Sequence, residues 1–135
     1  MALTRKGEYF HGDSRVDLRP FLERFSAEGP YAVDRMEALL CECGAEVLEL
    51  LIDDVEGVGA QRCPRCSLVV ALGDCEEFLD QAAPLRCECP CGGAVFELLT
   101  GVSFYAGTTD SRWFYVAGRC PNCGLVGCYG DWKTP

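Results

Sequence analysis

Eight cysteines fall in a pattern that leaves this chain few ways to fold. Cys41-Glu42-Cys43-Gly44 is followed by Cys63-Pro64-Arg65-Cys66, and Cys89-Pro90-Cys91-Gly92 by Cys120-Pro121-Asn122-Cys123-Gly124. Each set offers four thiolates in two close pairs with a spacer between them. Tetrahedral zinc needs that arrangement: two ligands from each of two tight turns, brought together by a hairpin. The expectation is two structural zinc ions. One sits on Cys41, Cys43, Cys63 and Cys66, the other on Cys89, Cys91, Cys120 and Cys123. Four cysteines per ion leave no open position for water, so no catalytic residue is assigned.

The two sets are halves of an internal repeat. A shift of 48 carries Cys41-Glu42-Cys43-Gly44 onto Cys89-Pro90-Cys91-Gly92, and Val47-Leu48-Glu49-Leu50-Leu51 onto Val95-Phe96-Glu97-Leu98-Leu99. A shift of 57 carries Cys63-Pro64-Arg65-Cys66 onto Cys120-Pro121-Asn122-Cys123, Leu68-Val69 onto Leu125-Val126, and Gly73-Asp74 onto Gly130-Asp131. The second unit therefore has nine more residues between its cysteine pairs. A hairpin is where such an insertion is tolerated. Both units use one plan, as repeats do.

Each unit of about fifty residues is too short to be secure on hydrophobic burial alone. Metal coupled to folding supplies on the order of 10 kcal/mol. Eleven cysteines in 135 residues could instead mean a secreted disulfide scaffold. The odd count, the recurring CxxC pairs and the polar residues after Met1, with no signal-peptide core, favour a cytoplasmic metal protein. No apolar run approaches the eighteen or so residues of a membrane span.

The formal net charge is −9, and most of it lies in residues 41–86, which carry 3 basic and 10 acidic residues, a balance of −7. Two zinc tetrathiolates would take the whole chain to about −13, since four thiolates on one divalent ion leave −2. Such a chain is poorly suited to gripping phosphate backbones, which argues against nucleic acid as a partner. It suits a basic protein, or solubility alone.

Taken in order, residues 1–13 have no clear period and are expected to begin loosely. Asp17 can cap a helix whose apolar residues Leu18, Phe21, Leu22 and Phe25 share one face. Pro20 is harmless in its first turn, and Gly29-Pro30 ends it. That face packs on the rest of the fold or docks a partner. His11, the one histidine, is read as a surface residue. Residues 31–40 read as a short helix or as a strand, the strand being favoured because a zinc knuckle is entered in extended conformation; 45–53 and 58–62 read as a hairpin with Asp53-Asp54-Val55-Glu56-Gly57 at its tip, and 67–72 as a third strand. Asp74 and Glu77 can box the start of a short helix, and Ala82-Ala83-Pro84 is the best boundary. Residues 94–106, 112–119 and 125–129 repeat the three strands.

The CPxC elements with their upstream pairs resemble the zinc-ribbon family, with its rubredoxin-like knuckles, over residues 36–134. The resemblance implies three-stranded antiparallel ribbons with zinc between two knuckles. The chain departs from the family in one respect: the upstream pairs are CxC. Cys87 could then compete with Cys89, although the repeat favours Cys89 and Cys91. The paired arrangement, ending in Tyr129-Gly130-Asp131-Trp132-Lys133, also looks like a group of bacterial paired-ribbon proteins, a likeness that names no function.

The expected fold is mainly β: an N-terminal segment (1–35) with the helix, a first ribbon (36–83) and a second (84–135). Cys75, Cys87 and Cys128 are left over and read as small buried hydrophobes. Arg62 and Arg119 precede the CPxC pairs and are expected to offset sulfur charge. The second unit is rich in aromatics. Trp113 and Tyr115 lie on one face of a strand and Phe114 on the other. Either the helix or first ribbon covers that face, or it binds a partner. The expected function is a non-enzymatic interaction module, an acidic inhibitor or immunity-type protein for a basic partner. Its candidate contacts are Asp53, Asp54, Glu56, Trp113 and Tyr115. One alternative is a transcription-associated ribbon presenting Asp53-Asp54 to a polymerase, as some cleavage-factor ribbons do. The other is a rubredoxin-like iron electron carrier.

Overall fold

The nine-residue difference between the repeats is visible as hairpin length. In the computed structural model, which describes residues 3–6, 9–53, 57–72 and 84–133, the chain opens with β1 (Thr4–Lys6) and β2 (Tyr9–His11). A short 3-10 turn (Arg15–Asp17) leads into α1 (Leu18–Ala27). The first repeat follows as β3 (Arg35–Leu39), β4 (Glu49–Asp53), β5 (Val58–Arg62) and β6 (Val69–Ala71). The second consists of β7 (Leu85–Arg86), β8 (Glu97–Phe104), β9 (Ser111–Arg119) and β10 (Leu125–Lys133). The protein is mainly β, and α1 is the one α-helix among the described residues. β4 and β5 have five residues each, whereas β8 and β9 have eight and nine. The insertion has lengthened the hairpin without disturbing the cysteines at its base.

The strands form a six-stranded sheet in the order β1-β2-β10-β9-β8-β3 and a four-stranded sheet in the order β6-β5-β4-β7. Each repeat gives its first strand to the other. β3 leads into Cys41 but pairs with β8, Glu37 opposite Thr100 and Ala38 opposite Leu99. β7 leads into Cys89 but pairs with β4, Leu85 opposite Ile52 and Arg86 opposite Leu51. The 48-residue shift turns one register into the other. Between the two exchanges, the equivalent residues Leu48 and Phe96 face each other. Each N–H donates to the other's carbonyl, at 2.9 and 2.8 Å. Arg15 reaches into the same seam, where its guanidinium donates to the carbonyls of Leu39, Leu98 and Glu46.

Alternation along the strands then builds two cores. Leu98, Phe114 and Val116 face the four-stranded sheet and pack with Leu48, Leu50, Ile52, Val58, Phe96 and Trp132. Leu99, Tyr115 and Ala117 point the opposite way, against Leu18, Phe21 and Leu22 of α1. The six-stranded sheet is therefore the middle of three layers, and both of its faces are covered.

Two expectations for the N-terminus change. Residues 4–6 and 9–11 are strands, because β10 would otherwise be a bare edge. β2 pairs with it, Phe10 opposite Val126. Asp17 occupies the N-cap of α1 but makes no side-chain cap there. Its buried carboxylate reaches back instead and accepts the N–H groups of Asp13 at 2.7 Å and Ser14 at 3.3 Å. The helix expected after Asp74, the boundary at Ala82-Ala83 and the spare Cys75 lie outside the described residues. Among the described residues no helix is long and apolar enough to cross a membrane.

Candidate metal centres

Each cysteine pair is presented by a tight turn that returns its own backbone hydrogen bonds. In the CxC turns, Gly44 N–H donates to Cys41 O and Gly92 N–H to Cys89 O, at 2.9 and 2.8 Å. In the CPxC turns, Ser67 N–H donates to Cys63 O and Gly124 N–H to Cys120 O, at 2.9 and 2.8 Å. The residue that closes each turn has positive φ: Gly44 (94°), Gly92 (96°), Gly124 (83°) and Ser67 (66°). Three are glycines, for which that backbone costs nothing. Ser67 is the exception.

The turns bring the eight predicted cysteines into two groups, Cys41, Cys43, Cys63 and Cys66, and Cys89, Cys91, Cys120 and Cys123. Within each group all sulfurs lie within 4.8 Å of one another. Cys41–Cys66 and Cys43–Cys63 are 3.5 Å apart, Cys89–Cys123 is 3.5 Å and Cys91–Cys120 is 3.6 Å. These pairings are the same in both repeats. A tetrahedron with metal–sulfur bonds of about 2.3 Å has sulfur–sulfur edges of roughly 3.8 Å, so each group fits around one metal ion. The sulfurs are free thiols, not disulfides. In each group two cysteines are buried and two exposed. Cys87 packs beside the core but stands outside the second group, and His11 belongs to neither.

Crowding four sulfurs splits their acidities. Burial raises the Cys63 thiol, but the N–H groups of Cys66 and Arg65 and the Cys43 and Cys41 thiols outweigh it and bring it down to about 6. The N–H of Cys43 draws Cys41 down, yet burial and the surrounding thiols push it up to about 12. In the second group, the N–H of Gly93 and the Cys89 and Cys120 thiols lower Cys91 to about 7. Burial, above all, holds Cys89 at about 12. The sulfurs of each group are thus pulled in opposite directions, and a divalent cation bound there would stabilise every thiolate.

Arg62 and Arg119, expected to offset sulfur charge, each pair with a carboxylate. Arg62 bonds Glu49 and Arg119 bonds Glu97, both at 2.8 Å, across directly paired strand positions. Glu49 and Glu97 are equivalent positions in the two repeats, so this clasp at the hairpin base is part of the shared plan. Residue-by-residue reading overlooked it, although the repeat alignment holds all four residues. Arg119 also donates from Nε to Gly12 O at 2.8 Å, tying down the N-terminal strands. Tyr129 was likewise missed as a neighbour of the second group. Burial, then the Cys89 and Cys120 sulfurs, raise its phenol above the ordinary range. Its ring packs on Phe96 with centroids 4.7 Å apart.

Among the described residues, the expected partner contacts fall on two strands, Asp53 on β4 and Trp113 and Tyr115 on β9. Asp53 ends β4 half-buried, with its carbonyl accepting Gly57 N–H at 2.9 Å, while Asp54 and Glu56 lie outside the described residues. Tyr115 is corrected to a core residue. It is 3% exposed, lies under α1, meets Phe25 edge-on and donates its hydroxyl to Tyr31 O at 2.6 Å. Trp113 stays half-exposed, stacked on Tyr31 with its Nε1–H bonded to Asp131 at 3.0 Å. The helix covers Tyr115 and leaves Trp113 partly open. No family model, curated protein or solved structure matches the chain.

Proposed function

We propose that the chain is a non-enzymatic protein-interaction module built on two structural zinc ions. Its partner would be a basic protein, in an inhibitory or immunity-type role in the cytoplasm. One observation supports the metal half above the rest: two equivalent groups of four sulfurs, each spaced for a single tetrahedral ion. Zinc bound there would be coordinatively saturated, so its contribution is folding free energy and not catalysis. The partner half is supported by charge. The formal −9 becomes about −13 with two zinc tetrathiolates, which speeds encounter with a cationic surface. Affinity capture from the native cell, followed by surface plasmon resonance at two salt concentrations, tests it. A basic protein whose association slows as salt rises supports the reading, and salt-independent association contradicts it.

A second reading rests on exposure. Cys43, Cys66, Cys91 and Cys123 reach the surface, which would give electrons a short path to a rubredoxin-like iron. Four-cysteine ferric iron is red and zinc is colourless, so the absorption spectrum of protein purified from its own cell decides between them.

A further inference from the structure

Where α1 ends above the six-stranded sheet, the surface opens into a cavity of about 330 Å³. Phe25 and Glu28 reach it from the end of the helix, Tyr31 from the loop that follows, Trp113 and Tyr115 from β9, and Asp131 from β10. Four aromatic side chains and two carboxylates thus share one concavity, and among the described residues no lysine or arginine lines it. Phe25 is 39% exposed, although Leu18, Phe21 and Leu22 on the same helix are buried. Aromatic faces attract cations, and this group already holds one. The Arg112 guanidinium carbon lies 4.3 Å from the centroid of Tyr31, whose ring stacks on Trp113 at 5.1 Å. The bond from Trp113 Nε1 fixes the Asp131 carboxylate at the edge of the indole.

We propose that this cavity takes the guanidinium of an arginine side chain from a partner protein, stacked on the aromatic wall and paired with Glu28 and Asp131. The proposal rests on the basic-partner reading and names the side chain that is recognised. Arginine fits better than lysine because its planar ion both stacks on rings and forks onto carboxylates. The adjoining hollow of about 160 Å³ shares Tyr31 and Trp113 but is lined by Arg112 and Lys133. Cation repulsion there directs the guanidinium to the carboxylate side.

The test follows the indole N–H resonances of the full-length chain as N-acetyl-arginine amide is added, with N-acetyl-citrulline amide as the uncharged counterpart. The arginine amide should shift the Trp113 indole and leave the buried Trp132 indole in place, and the citrulline amide should move neither. Glu28→Gln and Asp131→Asn, both at exposed positions, should each weaken the response by up to about fivefold. No arginine shift, an equal citrulline shift, or a shift that survives both substitutions would overturn the proposal. Calorimetry with a hexa-arginine peptide separates the two levels. Salt-sensitive binding that leaves the Trp113 indole unmoved removes the cavity but keeps the basic-partner reading. Absence of binding removes both.

Discussion

Ser67 shows how one residue can sit against its own backbone. It occupies the place that Gly124 takes in the other repeat, with φ at 66°, where a side chain meets steric resistance that glycine avoids. Ser67→Gly should therefore raise stability by about 0.5–1 kcal/mol. Gly124→Ala should lower it by about 1–2 kcal/mol, since its new Cβ would also lie 3.0 Å from Gly12 O. Denaturant midpoints of the two variants check both signs. Cys128 carries a pH dependence. Burial first, and Asp131 second, push its thiol from 9.0 up to about 12. The folded chain holds that proton more tightly than the unfolded chain does. Its contribution is therefore complete below about pH 9 and is lost as pH rises towards 12. Cys128→Ala should flatten the fall in stability over that window, as read from denaturation curves of the two proteins at each pH.

At the scale of elements, Trp132 carries β10 into the first repeat. The Trp132 indole packs on Phe114 at 5.2 Å and lies so close to Gly59 of β5 that a Cβ there would be 2.7 Å from its ring. Trp132→Ala should cost about 3–5 kcal/mol by opening a cavity between the sheets. Gly59→Ala should destabilise through the opposite fault, overpacking, by about 1–3 kcal/mol. Thermal melts of both test whether this contact joins the two sheets. Much at this level was legible from the chain alone. The four turns, both hairpins and the apolar face of α1 follow from spacing and period, and the strand before Cys41 from the extended entry that a zinc knuckle needs. Pairing partners were not. That residues 35–39 form a strand is a local property, whereas their bonding to β8 depends on contacts 59 to 67 residues away. β1 and β2 have three residues each, too few for any period to show, and owe their form to the edge of β10. The eight cysteines were legible because spacing within a turn is local. Tyr115 was misplaced because period two assigns a residue to a face without saying what covers it.

The whole molecule differs from two independent units because each repeat completes the other's sheet. Residues 84–135 contain four cysteines of one group but leave behind β3 and α1, which cover the edge of β8 and the face formed by Leu99, Tyr115, Ala117 and Val126. A fragment of those residues should bind zinc yet remain poorly ordered, with little dispersion in its amide spectrum, whereas the intact chain should be well dispersed. A well-dispersed fragment would mean that the exchanged strands are decoration. Everything above rests on the two centres, and native mass spectrometry of the purified chain measures them directly. Two zinc ions per chain are expected, one after Cys66→Ser or Cys123→Ser, and two after Cys87→Ser. A folded protein carrying one metal or none, or a Cys87→Ser variant that loses zinc while Cys89→Ser keeps both, would contradict that expectation.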